Sequence, residues 1–273
     1  MINNVIASSV NTNYQNLYQN KAKTYNQSFG HGDGSSSTLT KKQKAAILAS
    51  SAAGMIPVLA VLAKMKGFSL NPAKIIKTSP KNWAIFKYSP KDKSIQYEAK
   101  EIIATASGSI AGGFVGGYFV DDKSNRRAKK REVLNQILGN VLVPVGCVAT
   151  GSKIYEKYAN RLSNMMPQFN SPKSIAKIAN KVLRNIPNAL GTVAFLSTGI
   201  YLGNKVSNLI NEKLYHKKVE RNIKTSDFAP HVDDLCMATS MMNKESEFGS
   251  KLGRIIPLAL LVPGYETGTA QEH

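Results

Sequence analysis

Residues 102–120 read IIATASGSIAGGFVGGYFV, nineteen positions with five glycines and no charged side chain. An α-helix needs about 20 residues to cross the roughly 30 Å hydrocarbon core of a bilayer, so the length of the run points to a membrane. Its composition points the same way. Each interior glycine costs a water-exposed helix about 1 kcal/mol relative to alanine. Between helices in lipid, small residues instead let two backbones approach and gain dispersion contacts. Here they recur every fourth position, at Ala104, Gly108, Gly112 and Gly116, which sets them on one helical face.

Working outward, three more stretches lack charge: 45–63, 133–152 and 185–203. All 36 Lys and Arg and all 17 Asp and Glu lie outside the four. Segregating apolar blocks from charged connections is what a bilayer requires and a globular core does not. The sequence therefore predicts an all-α fold, a multi-helix integral membrane bundle packed through glycine and small residues, whose apolar helices either span the bilayer or dip into one leaflet as hairpins.

The chain resembles itself at an offset of 87 residues without gaps. Pro57 matches Pro144, Pro80 matches Pro167, Gly112 matches Gly199 and Gly116 matches Gly203. These are residues with backbone-specific roles. The bundle is read as a duplicated two-helix unit, 41–130 and 131–217. In each unit a first helix carries an internal proline (Pro57, then Pro144) that kinks it, and a second carries the small-residue face. The second copy of that face is Gly191, Phe195, Gly199 and Gly203. Residues 250–273 hold a partial third copy, GRIIPLALLVPG, with a kinking Pro257. Its uncharged core, 255–265, is too short to span, so it reads as a re-entrant or interfacial segment, or as a fragment packed on the other helices.

Residues 1–40, rich in Asn, Ser, Gln, Tyr and Thr, read as a disordered polar leader. They show neither the basic start nor the apolar run of a cleavable secretory signal. Residues 218–249 read as a polar insertion. Segment 173–184 has Ile175, Ile178, Ala179 and Val182 opposite Lys173, Lys177, Lys181 and Arg184, as in an amphipathic helix lying in the interface plane.

A formal charge of +19 favours acidic partners. The basic residues are scattered over every connection rather than gathered in one stripe. This suits anionic lipid headgroups better than nucleic acid, for which no recognition motif is present. The Gly-rich helices also offer a route to a homo-oligomer.

No phosphate-binding, dinucleotide, zinc-protease or nucleophile-elbow motif occurs, and the two cysteines, Cys147 and Cys236, fit no disulfide framework. The one compact polar constellation is FAPHVDDLCMA. There His231, Asp233, Asp234 and Cys236 could supply metal ligands or an acid–base pair. The same residues also suit the start of a helix, whose positive dipole end favours carboxylates. The reading is of a non-enzyme without a cofactor, located in the membrane. Its role is structural or scaffolding, with anionic-lipid contacts. Two alternatives remain: a secreted effector or translocator that inserts into a target membrane, and a channel or transporter. The absence of ionisable residues from the apolar stretches counts against the last.

Overall fold

The computed structural model describes residues 39–85, 95, 97–170, 174–216 and 256–272, and among these every regular element is helical. Three helices are long and apolar enough to cross a membrane: Lys41–Met65, Ala99–Val120 and the continuous Lys123–Asn164.

Helix α1 (Lys41–Met65) begins at a capping box, in which the Thr40 hydroxyl accepts from the Gln43 amide and the Gln43 side chain accepts from Thr40 N. It runs through Pro57. After a turn at Gly67, where φ is 80°, come the short α2 (Pro72–Lys77) and a 3-10 turn at Pro80–Asn82. Trp83 Nε1 closes this connection by donating to the Ile75 and Thr78 carbonyls at 3.2 and 2.9 Å. Helix α3 (Ala99–Val120) returns antiparallel to α1, and Gln43 Nε2 donates to Val120 O at 2.8 Å, tying the start of α1 to the end of α3.

The chain then enters α4 (Arg126–Leu134), a π-helical segment (Asn135–Leu142) and α5 (Val143–Asn164), which follow one another without a break. Pro144 explains the widened turns. It has no amide to give to the Asn140 carbonyl, and its ring would clash there. The upstream bonds lengthen instead, with Val143 N reaching Leu138 O five residues back. Helix α6 (Ser174–Tyr215) follows, 42 residues and about 63 Å long. Among the described residues after α6 lie two short helices, α7 (Ile256–Ala259) and α8 (Val262–Thr269), bridged by backbone bonds across Leu260 and Leu261.

Two expectations change. The separate amphipathic helix at 173–184 and the span at 185–203 are parts of the single helix α6, which continues through Pro187. Helix α6 is also not among the three helices apolar enough to span. Asn185, Asn188 and its hydroxyl and glycine residues dilute the apolar stretch, and absence of charge is a weaker property than hydrophobicity.

The apolar core joins both hairpins, with Met55, Ile102, Ile110, Val141, Val145, Leu196, Ile200 and Ile256 in one cluster. Large apolar side chains also face outward. On α1 alone Leu48, Ile56, Val61 and Met65 are 44, 63, 59 and 76 % exposed, while the inward face carries Ile47, Ser51 and Met55.

Candidate functional site

Helix α3 is the hub of the bundle, and glycine makes it so on two faces. On the first, an added Cβ at Gly112 would lie 3.0 Å from Gly54 Cα and one at Gly108 2.7 Å from Gly54 O, both on α1; one at Gly116 would lie 2.6 Å from Ser50 Cβ. Ser50 Oγ donates to Gly112 O at 2.7 Å across this seam. On the second face Gly113 lies against Gly264 of α8, and Gly117 lies 2.7 Å, by its added Cβ, from Gly268 Cα.

The second hairpin pairs α6 with the π-helical segment and α5. An added Cβ at Gly199 would lie 2.8 Å from Pro144 Cα, Gly203 packs on Gly139, and Gly151 packs on the Phe195 ring. In the first hairpin Gly112 meets Ser50 and Gly54. An offset of 87 residues would place Gly199 on Ile137 and Val141. The contact is instead displaced one to two turns along the helix, past the π-helical stretch.

Of the residues singled out from sequence, Gly108, Gly112, Gly116, Gly199 and Gly203 therefore lie at interhelical contacts within the chain. Ala104 and Gly191 are half-buried. Pro57 is exposed on α1, Pro144 is buried inside the continuous helix just past its π-helical segment, and Pro257 is buried in the short α7. His231, Asp233, Asp234 and Cys236 lie outside the described residues. Among the described residues, no group of three His, Cys, Asp or Glu is placed to hold a metal.

One end of the bundle carries a polar latch that joins α8 to the rest. Lys129, on the buried face of α4, has no exposed side-chain surface, and Asp121 has 3 %. Lys129 Nζ donates to Asp121 Oδ2 at 2.7 Å, Gly268 O at 2.7 Å and Ala270 O at 2.9 Å. An ammonium has three donors, so all are used, and two of them satisfy carbonyls at the C-terminal end of α8. Burial by itself would raise the Asp121 carboxyl. The Lys129 hydrogen bond and charge, the Asp122 amide and the Asn125 side chain outweigh it and hold the group below the usual carboxylate range.

Around this pair, Glu272 N donates to Asn125 Oδ1 at 3.1 Å, and Arg131 pairs with Glu272 at 3.5 Å. Gln136 Nε2 donates to Glu132 Oε1 and Glu266 Oε2, each at 2.7 Å, and its own Oε1 accepts from Asn140 at 2.6 Å. Deeper, Asn135 Nδ2 donates to Asn211 Oδ1 at 3.4 Å. Along the same face of α6, Asn204 Oδ1 and Ser207 Oγ are buried without a hydrogen-bond partner among the described residues, as are Asn135 Oδ1 and Asn211 Nδ2.

Sequence reading missed the second glycine face and the latch. The spacing of Gly264 and Gly268, four apart and matching Gly113 and Gly117, is the signal that could have found the first. Lys129 carried no signal, because it stands in a run of six cations that reads as a solvated connection. No protein-family model, no curated protein and no solved structure matches this chain.

Proposed function

We propose that this chain is a structural or scaffolding membrane protein. In this reading it is a helical bundle of two duplicated hairpins, closed by glycine seams and seated against anionic lipid. The observation that carries the reading is the distribution of side chains. Small and polar residues such as Ser50, Ser51, Gly54, Thr105, Ser109 and Gly113 lie within the bundle, and large aliphatic residues face out along α1. An outward apolar surface of that length is covered at no cost by hydrocarbon, and in water it would be an aggregation surface.

Lipid headgroups fit the latch end. The start of α1 adjoins the end of α3, so exposed Lys41 and Lys42 lie at the same end as exposed Lys123, Arg127 and Lys130. Each such residue near an anionic surface adds about 1 kcal/mol. Aromatic side chains accompany them, with the Arg126 guanidinium 3.8 Å from the Tyr118 ring centroid and Phe119 outward beside it, as at a membrane interface.

Carbonate extraction of membranes containing the full chain tests the proposal. Retention in the pellet, with the 121–132 connection protected from protease on one side only, is the expected result. Release into the supernatant would refute it.

The buried polar row of Asn135, Asn204, Ser207 and Asn211 favours a second reading, a water or ion path. Flux through vesicles reconstituted with the chain would distinguish that from a scaffold.

A further inference from the structure

The buried polar row on α6 stops partway along the bundle, and where it stops bears on the water or ion path, the second reading above, on which this inference rests. Helix α6 runs antiparallel to the continuous helix before it. Asn211 meets Asn135, Ser207 and Gly203 meet Gly139, Gly199 meets Pro144 and Phe195 meets Gly151. From Asn211 to Asn204 the buried face of α6 is polar over about 10 Å. One turn further on, that face carries Ile200 and then Leu196, which join Val141, Val145 and Val148 in the apolar core.

The polar half is short of hydrogen bonds. Asn135, Ser207 and Asn211 have at most 1 % of their surface exposed and Asn204 6 %. Yet Asn135 Oδ1, Asn204 Oδ1, Ser207 Oγ and Asn211 Nδ2 have no partner among the described residues. The backbone adds a fifth group. Gly139 O would accept from residue 143 in an α-helix or from residue 144 in a π-helix, but Val143 N is taken by Leu138 O and Pro144 has no amide. That carbonyl lies against Gly203, and Ser207 Oγ lies against Gly139. A buried polar group without a partner loses its hydration and gains nothing in return. Within a membrane such groups mark water-filled paths, and π-helical stretches concentrate at functional sites.

Four of the five groups are oxygens, the ligands a hard cation takes. Carboxylates flank their shallow end. Glu132 Oε2 lies 3.5 Å from Asn135 Nδ2, and Glu132 and Glu266, the latter on the C-terminal strap (residues 256–272), both accept from Gln136. Two cations of the same helix, Lys129 and Arg131, are paired with Asp121 and Glu272.

We infer that the seam between the π-helical segment and α6 opens to water from the latch end, as a half-channel for small monovalent cations that ends at an apolar plug of Val141, Val145, Leu196 and Ile200. Water entering the seam supplies the missing bonds of all five groups, and Glu132 and Glu266 set the sign of the ion admitted. Beyond Asn204 the next buried polar side chain on α6 is Thr192, about three turns away. An apolar constriction of that length stays dry and closed. The chain therefore takes up cations from one side and passes none across while the plug is intact.

The test uses full-length single-cysteine variants in a Cys147→Ser, Cys236→Ser background, Asp122→Cys, Ser207→Cys and Ile200→Cys, reconstituted into sealed vesicles of phosphatidylcholine and phosphatidylglycerol. Membrane-impermeant methanethiosulfonates carrying either a trimethylammonium or a sulfonate are added outside, and Asp122→Cys gives the fraction of chains that present the latch end. Ser207→Cys should be modified to that same fraction, with a cationic-over-anionic rate ratio about tenfold that at Asp122→Cys, while Ile200→Cys stays unmodified. An unreactive Ser207→Cys overturns the opening. An equal ratio at positions 122 and 207 overturns the cation preference, and modification of Ile200→Cys to the same extent as Ser207→Cys overturns the plug. Potassium flux is the second measurement. It should be absent from the parent and appear in Leu196→Ser with Ile200→Ser, and equal flux in the two overturns the plug; if the double variant does not fold, Ile200→Cys decides alone. Complete modification of Asp122→Cys in sealed vesicles, with release of the chain by carbonate, refutes the membrane location itself.

Discussion

Replacing Lys129 by Met keeps a straight side chain of similar length and deletes the ammonium. Asp121 then remains almost fully buried with its charge uncompensated, and Gly268 O and Ala270 O lose their donor. Removing one partner of a buried ion pair costs about 3–5 kcal/mol. At 1.36 kcal/mol per factor of ten, the lower bound is a shift of about a hundredfold in the docking equilibrium of residues 256–272. Because the two hairpins are held by their own seams, that shift falls on the strap. Thr267 is fully buried beneath the latch, so Thr267→Cys, with the two native cysteines replaced by serine, reports undocking through its rate of alkylation. The rate should rise about a hundredfold in the Lys129→Met variant. Adding Asp121→Asn removes the orphaned charge and should recover much of the loss. A rate within twofold of the parent in the single variant would refute the assignment of Lys129 as the group that holds the strap.

Other perturbations separate the remaining contacts. Gly112→Leu with Gly199→Leu drives side chains into the α1 backbone and Pro144, and should lower stability in detergent by more than the 1–3 kcal/mol typical of an overpacked site; unchanged thermal unfolding would count against close packing there. Gly146→Ala meets nothing within 4 Å, so it should stabilise the helix by about 1 kcal/mol, and a loss of stability would show that this face is engaged. Asp121 titrates below the usual range, so its contribution is present above the unfolded value of about 3.9 and is lost as pH falls through the lower folded value. Pepsin cleavage of the strap should therefore rise only below about pH 4. A rise between pH 5 and 7 that Asp121→Asn abolishes would contradict that sign. Binding of the full chain to vesicles should weaken as salt screens the cations at the latch end, and an unchanged affinity between 0.05 and 0.5 M salt would refute the headgroup contact.

What could be read from the chain alone follows from local physics. A strongly apolar run of about 20 residues without charge marks a helix that can enter lipid whatever its neighbours, and Lys41–Met65 and Ala99–Val120 carry that property themselves. The third helix long and apolar enough to span was legible at 133–152, but its start at Lys123 was not. The connection DDKSNRRAKKRE is as polar as any loop, and it is helical because α4 continues into the apolar run and buries Ala128, Lys129 and Arg131. The limits of α6 were hidden for a related reason. Pro187 reads as a break, yet the helix passes through it, since neighbouring helices can satisfy a freed carbonyl.

Sequence by itself determined the helical class, the segregation of apolar from basic segments and the small-residue faces, because each is a property of composition and of a 3.6-residue period. Tertiary structure alone decided which faces meet. It set α1 on one glycine face of α3 and the C-terminal strap on the other, and it turned one lysine of a cationic run into a buried latch. It also fixed the direction of the strap. These depend on the relative rotation and register of helices distant in the chain, where a shift of one residue turns a helix by about 100° and exchanges one face for another.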